Sequence, residues 1–128
     1  MNRIQANFHL FAEDIDRAIQ FYQRHFGFSL LGKLDETDEN SWAAMKIENA
    51  IIWLGTEGSS NGLILLVDKD MEQFVENLAA NHVEFFVPNH IKQGMSGESN
   101  ILTTAWGKHA WIFDSERNVV MLFMPTGG

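Results

Sequence analysis

The sequence contains no cysteine. Disulfides, thiolate metal sites and a cysteine nucleophile are excluded together, and nothing points to an oxidising compartment. Basic residues are scarce, nine against seventeen acidic ones for a net charge of −8. No Lys/Arg cluster offers a footprint for phosphate backbones, so nucleic acid is not expected as a partner. Long apolar runs are also missing. The longest, Leu63 to Val67 and Val119 to Pro125, are strand-sized and far short of the roughly 18 residues a membrane span requires. The first residues lack a basic stretch followed by an apolar core, so no signal peptide is expected and the location implied is cytoplasmic. There is no G-x-S-x-G elbow, Walker-type glycine loop, H-E-x-x-H pair or dinucleotide fingerprint.

What remains is an ordinary globular chain of 128 residues with 45% apolar and 20% charged side chains, suited to one domain spanning 1–128. Two segments carry helical periodicity. Ile15, Ala18, Ile19, Tyr22 and Phe26 share one face, with Asp14 as N-cap and Gly27 as the stop. Met71, Phe74, Val75, Leu78 and Ala79 repeat the stripe, with Asp70 and Gln73 at capping-box spacing and Asn81 at the end. Strands are expected at Ile4 to Phe11, Phe28 to Leu34, Ser41 to Ile47, Ala50 to Gly55, Leu63 to Val67, Val83 to Val87, His109 to Phe113 and Val119 to Met124. Glu48-Asn49 is short enough for a tight hairpin turn. Pro88 to Asn100 has no pattern and reads as a binding lid or a plain connector.

This order is strand, helix, three strands, given twice. It describes an α+β fold of two βαβββ modules, about 1–57 and about 62–128, joined through Gly58 to Gly62. The hairpin pairing Ile47 with Ala50 sets Trp42, Ala44, Lys46, Ile51 and Trp53 on one face. Ala43, Met45, Ile52 and Leu54 lie on the other, helix-covered face. By the same alternation Val120 and Leu122 belong to the core, and Trp111, Phe113, Val119, Met121 and Phe123 to the opposite side.

The run Asp14-Ile15-Asp16-Arg17-Ala18-Ile19-Gln20-Phe21-Tyr22 followed by Phe26-Gly27-Phe28 resembles a signature of the vicinal-oxygen-chelate (glyoxalase/bleomycin-resistance/dioxygenase) superfamily. Trp106-Gly107 and Phe113-Asp114-Ser115-Glu116-Arg117-Asn118 resemble its later W-G…D-P-D-G-N segment, with Ser115 and Arg117 replacing the family's Pro and Gly. The resemblance implies paired modules forming a curled mixed sheet around a cavity, commonly completed in a homodimer. It also implies metal ligands at four inward positions, which fall here on Asn7, Trp53, Gly62 and Met121. An indole has no lone pair to give, glycine has no side chain, a thioether is too soft for hard divalent ions and an amide is a weak neutral donor. No metal or other cofactor is therefore expected.

In place of an ion, the cavity would present Trp42, Trp53, Trp111, Phe113, Met121 and Phe123, with Trp106 nearby and Asn7, His9 and Lys46 at the edge. Aromatic faces with few polar anchors suit flat, apolar or cationic organic ligands. The same residues would equally serve as plain core if the curled sheet closed on itself. The resemblance points to a metal-independent protein that sequesters a small organic compound, in the manner of bleomycin-resistance proteins. The alternative is a diverged superfamily enzyme (lyase, isomerase or dioxygenase-like) using His9, with His109 facing the same cavity, as acid or base. A scaffold that uses the aromatic surface for protein contact is a third class, with no specific support.

Overall fold

Asp14 starts the first helix as its chemistry predicts. Its backbone is extended and its side chain accepts from the Arg17 amide at 3.0 Å, satisfying an otherwise orphaned donor of the first turn. The helix α1 (Ile15–Phe26) buries Ile15, Ala18, Ile19 and Tyr22 and ends at Gly27, whose φ of 71° is the left-handed conformation that closes a helix. The computed structural model describes residues 7–35, 41–48, 50–57, 62–87 and 100–126.

Two helices and nine strands occur among these residues, in the order β1 (Asn7–Phe11), α1, β2 (Ser29–Asp35), β3 (Ser41–Ile47), β4 (Ala50–Gly55), β5 (Leu63–Leu66), α2 (Met71–Ala80), β6 (Phe85–Phe86), β7 (Leu102–Thr104), β8 (Gly107–Phe113) and β9 (Val119–Pro125). They form two open mixed sheets, one ordered β1-β4-β3-β2 and the other β5-β9-β8-β6, with β7 also paired to β8. The outer pair of each sheet is parallel, β1 with β4 and β5 with β9, and its remaining pairs are antiparallel. With β7 as an added short strand, the βαβββ order recurs and the path β5-β9-β8-β6 repeats β1-β4-β3-β2, which makes this an α+β fold of two like modules. Ile4 to Ala6, Asn49, most of the Gly58 to Gly62 joint and residues 88–99 of the patternless stretch lie outside the described residues.

The chain divides into two compact units, Met1–Gly62 with Ser115–Asn118, and Leu63–Asp114 with Val119–Gly128. In the first, Leu10, Ala43, Met45, Ile52 and Leu54 are fully buried on the sheet face that α1 covers, and each of the larger ones contributes roughly 1.5–3 kcal/mol relative to exposure. The register Ile47↔Ala50, Met45↔Ile52 and Ala43↔Leu54 is the one the hairpin alternation requires. Lys33 of β2 pairs with Asp16 of α1 at 2.5 Å. In the second unit Ala110, Ile112, Val120 and Leu122 are fully buried, as are most of Met71, Val75 and Leu78 from α2, and Lys108 of β8 pairs with Glu72 of α2.

Several expectations need correction. Asp70 does not form a capping box: its φ of 57° and ψ of 45° are left-handed and its carboxylate makes no cap bond. A capping side chain needs extended backbone to reach the first-turn amides. Gln73 instead donates to Asn77 Oδ1 at 2.9 Å. The strand expected over Val83 to Val87 is only Phe85–Phe86. Two further strand segments were not anticipated, β7 and the start of β8 from Gly107. Gly107 has a φ of 150°, and a Cβ there would run into the Met124 carbonyl oxygen, with Pro125 Cα at 2.9 Å. The Trp-Gly pair therefore marks a place where two backbones meet too closely for any side chain.

Candidate functional site

Register places the expected residues of the first unit on one sheet face, opposite the helix-covered core. Across β1, β4 and β3 in that order, the register forms the rows Asn7, Ile51, Lys46, then His9, Trp53, Ala44, then Phe11, Gly55, Trp42. Trp42 and Trp53 are in tilted contact, ring centroids 5.6 Å apart at 50°. Trp53 keeps 38% of its surface exposed, a large amount of apolar area for a residue in a central strand. Beside it, a Cβ on Gly55 would come within 3.0 Å of His9 Nε2. The absence of a side chain at Gly55 is thus what allows the imidazole to lie across β4.

The second unit carries a comparable face on β8 and β9. His109 lies beside Phe123, Trp111 beside Met121, and Phe113 beside Val119. Phe113 stacks on Phe86 (4.3 Å, 22°), and His109 lies nearly parallel to Trp111 (5.9 Å, 10°) and 4.8 Å from the Phe123 ring. Trp111 is nearly all buried at 9% exposure, whereas Phe113, Met121 and Phe123 are half-buried. Burial holds the His109 imidazole below its ordinary pKa, so it is biased to the neutral form. Trp106 occupies the two-residue turn between β7 and β8 and is 77% exposed.

The candidate residues are therefore brought together as two sets, Asn7, His9, Trp42 and Trp53 on one sheet and Trp111, Phe113, Met121 and Phe123 on the other. Two neighbours of the second set escaped the sequence reading. Thr104 bonds His109 from the unanticipated strand β7, and Phe86 completes the ring stack from β6. A separate polar cleft of about 470 Å³ opens in the first unit, lined by Glu13, Asp14, Ile15, Asp16, Arg17, Ser41 and Thr56. None of these residues carries the aromatic chemistry of the two faces.

The four residues that the family resemblance puts at metal positions do not have the donor chemistry of a divalent-ion site. Trp53, Gly62 and Met121 supply no hard ligand, and Asn7 alone supplies a neutral one. Among the described residues no three His, Asp or Glu side chains are placed to share an ion. In register His9 is paired with Trp53 and His109 with Phe123, and the Thr104 hydroxyl bonds His109.

The chain belongs to the glyoxalase/bleomycin resistance protein/dioxygenase superfamily, whose family model matches residues 2–122. Its fold is similar to that of TnmS3, an antibiotic-binding protein from Streptomyces sp. CB03234 (25% identity, TM-score 0.68, 98% of each chain covered). It is also similar to the fosfomycin resistance protein FosX from Listeria monocytogenes, solved as a variant with Mn(II) and 1S,2S-dihydroxypropylphosphonic acid (15% identity, TM-score 0.70, 98% of this chain and 95% of that one). A third similar structure is lactoylglutathione lyase from Agrobacterium tumefaciens (14% identity, TM-score 0.69, 97% and 94% covered). No curated protein matches the sequence.

Proposed function

We propose that the protein binds a small organic molecule without a metal, sequestering an aromatic, apolar or cationic compound on its aromatic sheet faces. The observation that carries this reading is the Trp42–Trp53 pair, with Trp53 held open to solvent where metal-using relatives would need a ligand. Indole faces gain by offset stacking on flat rings and by attraction of cations. The likeness to TnmS3, an antibiotic-binding protein, supports the same class of activity. FosX and the lyase keep a diverged enzyme in view, and His9 beside Trp53 is the residue such chemistry would use. The chain would act as one cytoplasmic domain of two modules and assemble as a homodimer, with Asn7, His9, Trp42, Trp53, Trp106, Trp111, Phe113, Met121 and Phe123 around the ligand.

Tryptophan fluorescence titrated with a panel of planar neutral and cationic aromatics tests the reading. Saturable quenching that weakens on Trp53→Ala is the expected result. No response across the panel from folded protein would overturn it, and light scattering on the same sample reports the assembly state.

A further inference from the structure

We infer that His109 presents a fixed hydrogen-bond acceptor at the aromatic face of β8 and β9, and that this face takes a planar aromatic ligand bearing an O–H or N–H donor. The inference rests on the aromatic-ligand reading and specifies the ligand's polar chemistry.

Three contacts converge on Thr104 Oγ1. The Trp106 amide donates to it at 3.2 Å, the Gly107 carbonyl lies 3.3 Å away and His109 Nε2 lies 3.0 Å away. A hydroxyl has one proton and two lone pairs. A carbonyl only accepts, so the Gly107 contact uses the hydroxyl proton. The Trp106 amide uses one lone pair. The remaining lone pair is matched only by a proton on His109 Nε2. The opposite arrangement, with the hydroxyl donating to Nε2, leaves two oxygens facing each other at Thr104 and Gly107 with no proton between them. The network is complete for one tautomer, protonated at Nε2, and that tautomer leaves a lone pair on Nδ1.

Nδ1 has no partner among the described residues. It is not sealed from solvent either, because every buried side-chain nitrogen or oxygen described is bonded. The ring around it is held by Trp111 on one side and Phe123 on another. No charged group faces it from the strands packed against it. β7 offers Leu102, Thr103 and Thr104, and β9 over Val119–Pro125 has no titratable side chain. Lys108 alternates to the other face, where it pairs with Glu72. Among the described residues of these strands no charge stabilises a second proton on this imidazole, and burial opposes it. At neutral pH the lone pair stays available. A phenol, an aromatic amine or an indole-type N–H lying on the rings would satisfy it. An aryl ether would set lone pair against lone pair.

The test is isothermal titration calorimetry of the full chain with 2-naphthol and 2-methoxynaphthalene, which differ in the donor. At pH 7.5, 2-naphthol should bind about five- to tenfold more tightly, the value of one neutral hydrogen bond, and His109→Phe should bind the two equally. Long-range proton–nitrogen NMR should find the His109 proton on Nε2, and Thr104→Val should release that preference. As pH falls through the His109 titration followed by NMR, the advantage of 2-naphthol should vanish, because a protonated Nδ1 donates and the oxygen of 2-methoxynaphthalene accepts from it as a phenol oxygen does. This arm needs no variant to fold. Equal binding of the two compounds by the unmodified protein, a preference that survives in His109→Phe, or a proton on Nδ1 would overturn this inference and leave the aromatic-ligand reading standing. Binding of neither compound would overturn this inference too, while the fluorescence panel decides the aromatic-ligand reading separately.

Discussion

Glu116 grips Arg17 with both carboxylate oxygens: Nε donates to Oε2 at 2.7 Å and Nη2 to Oε1 at 3.0 Å. The glutamate side chain is wholly buried and the arginine about half exposed. The Asp14 amide (2.9 Å) and the Ser115 hydroxyl (2.9 Å) donate to the same carboxylate, and Asn118 Nδ2 donates to the Phe11 carbonyl at 2.7 Å. The turn that lacks the family's Pro and Gly is thus fixed by side-chain bonding to the start of α1.

Glu116→Ala should therefore destabilise the protein by about 2 kcal/mol. That is less than the roughly 3–5 kcal/mol for breaking a fully buried pair, because Arg17 can return to water. Glu116→Gln, which keeps the shape and loses the charge, should fall between the two. Urea midpoints at pH 7 measure both. A loss below about 0.5 kcal/mol for Glu116→Ala would show that the turn is held by other contacts.

The same carboxylate should govern acid stability. Burial alone would raise the Glu116 pKa, but the bonds from Arg17, the Asp14 amide and Ser115, with the charge of Arg17, outweigh it and hold the group below its ordinary 4.5. A carboxylate with a depressed folded pKa binds fewer protons in the native state than in the unfolded one. Its stabilisation is complete above about pH 4.5 and is lost as pH falls through the folded value. His25 and His109, both lowered chiefly by burial, lose theirs in a separate window, as pH falls below the ordinary histidine value of 6.5. The difference in urea midpoint between the native chain and Glu116→Gln should be constant from pH 7 to 5 and shrink below 4.5. A difference that persists to pH 3 would contradict the assignment.

The two tryptophans opposite Ala44 and Met121 should separate binding from folding. Trp53→Ala removes a side chain that is 38% exposed, and Trp111→Ala one that is nearly all buried. The second should cost about 3–5 kcal/mol as a cavity in a packed face, the first well under half of that. For a planar aromatic ligand the ranking on the first sheet should reverse, with Trp53→Ala losing tenfold or more in affinity while its urea midpoint moves little. Matched chemical denaturation and fluorescence titration make the comparison.

Much of this arrangement was legible because it is local. The period of two in Trp42 to Leu54 fixes which side chains share a face, and Asp14 and Gly27 act within one helical turn. Asp70 misled because the residue type suits a cap while its left-handed backbone does not. β7 was invisible because three residues flanked by Ala-Trp-Gly make no run. The Glu116–Arg17 pair spans 99 residues of sequence, and the Thr104–His109 bond depends on a strand that short. Neither leaves a periodic trace, since long-range polar partners are chosen by tertiary placement and not by spacing.

The donor chemistry carries a last consequence for metal loading. If Asn7, Trp53, Gly62 and Met121 stand at the metal positions that the family resemblance implies, transfer of a hard divalent cation from water offers one neutral amide in exchange for its hydration shell, which no such ion accepts. Protein incubated with Mn(II), Ni(II) or Zn(II) and then gel-filtered should retain less than about 0.1 ion per chain. Its thermal midpoint should not rise with added metal, because only an ion bound to the native state stabilises it. Mass spectrometry of the metal content and a thermal scan read the two arms. Stoichiometric metal that disappears in His9→Ala would instead promote the enzyme reading, with His9 as a ligand, and Gly55→Ala, which crowds that imidazole, should then weaken the metal as well.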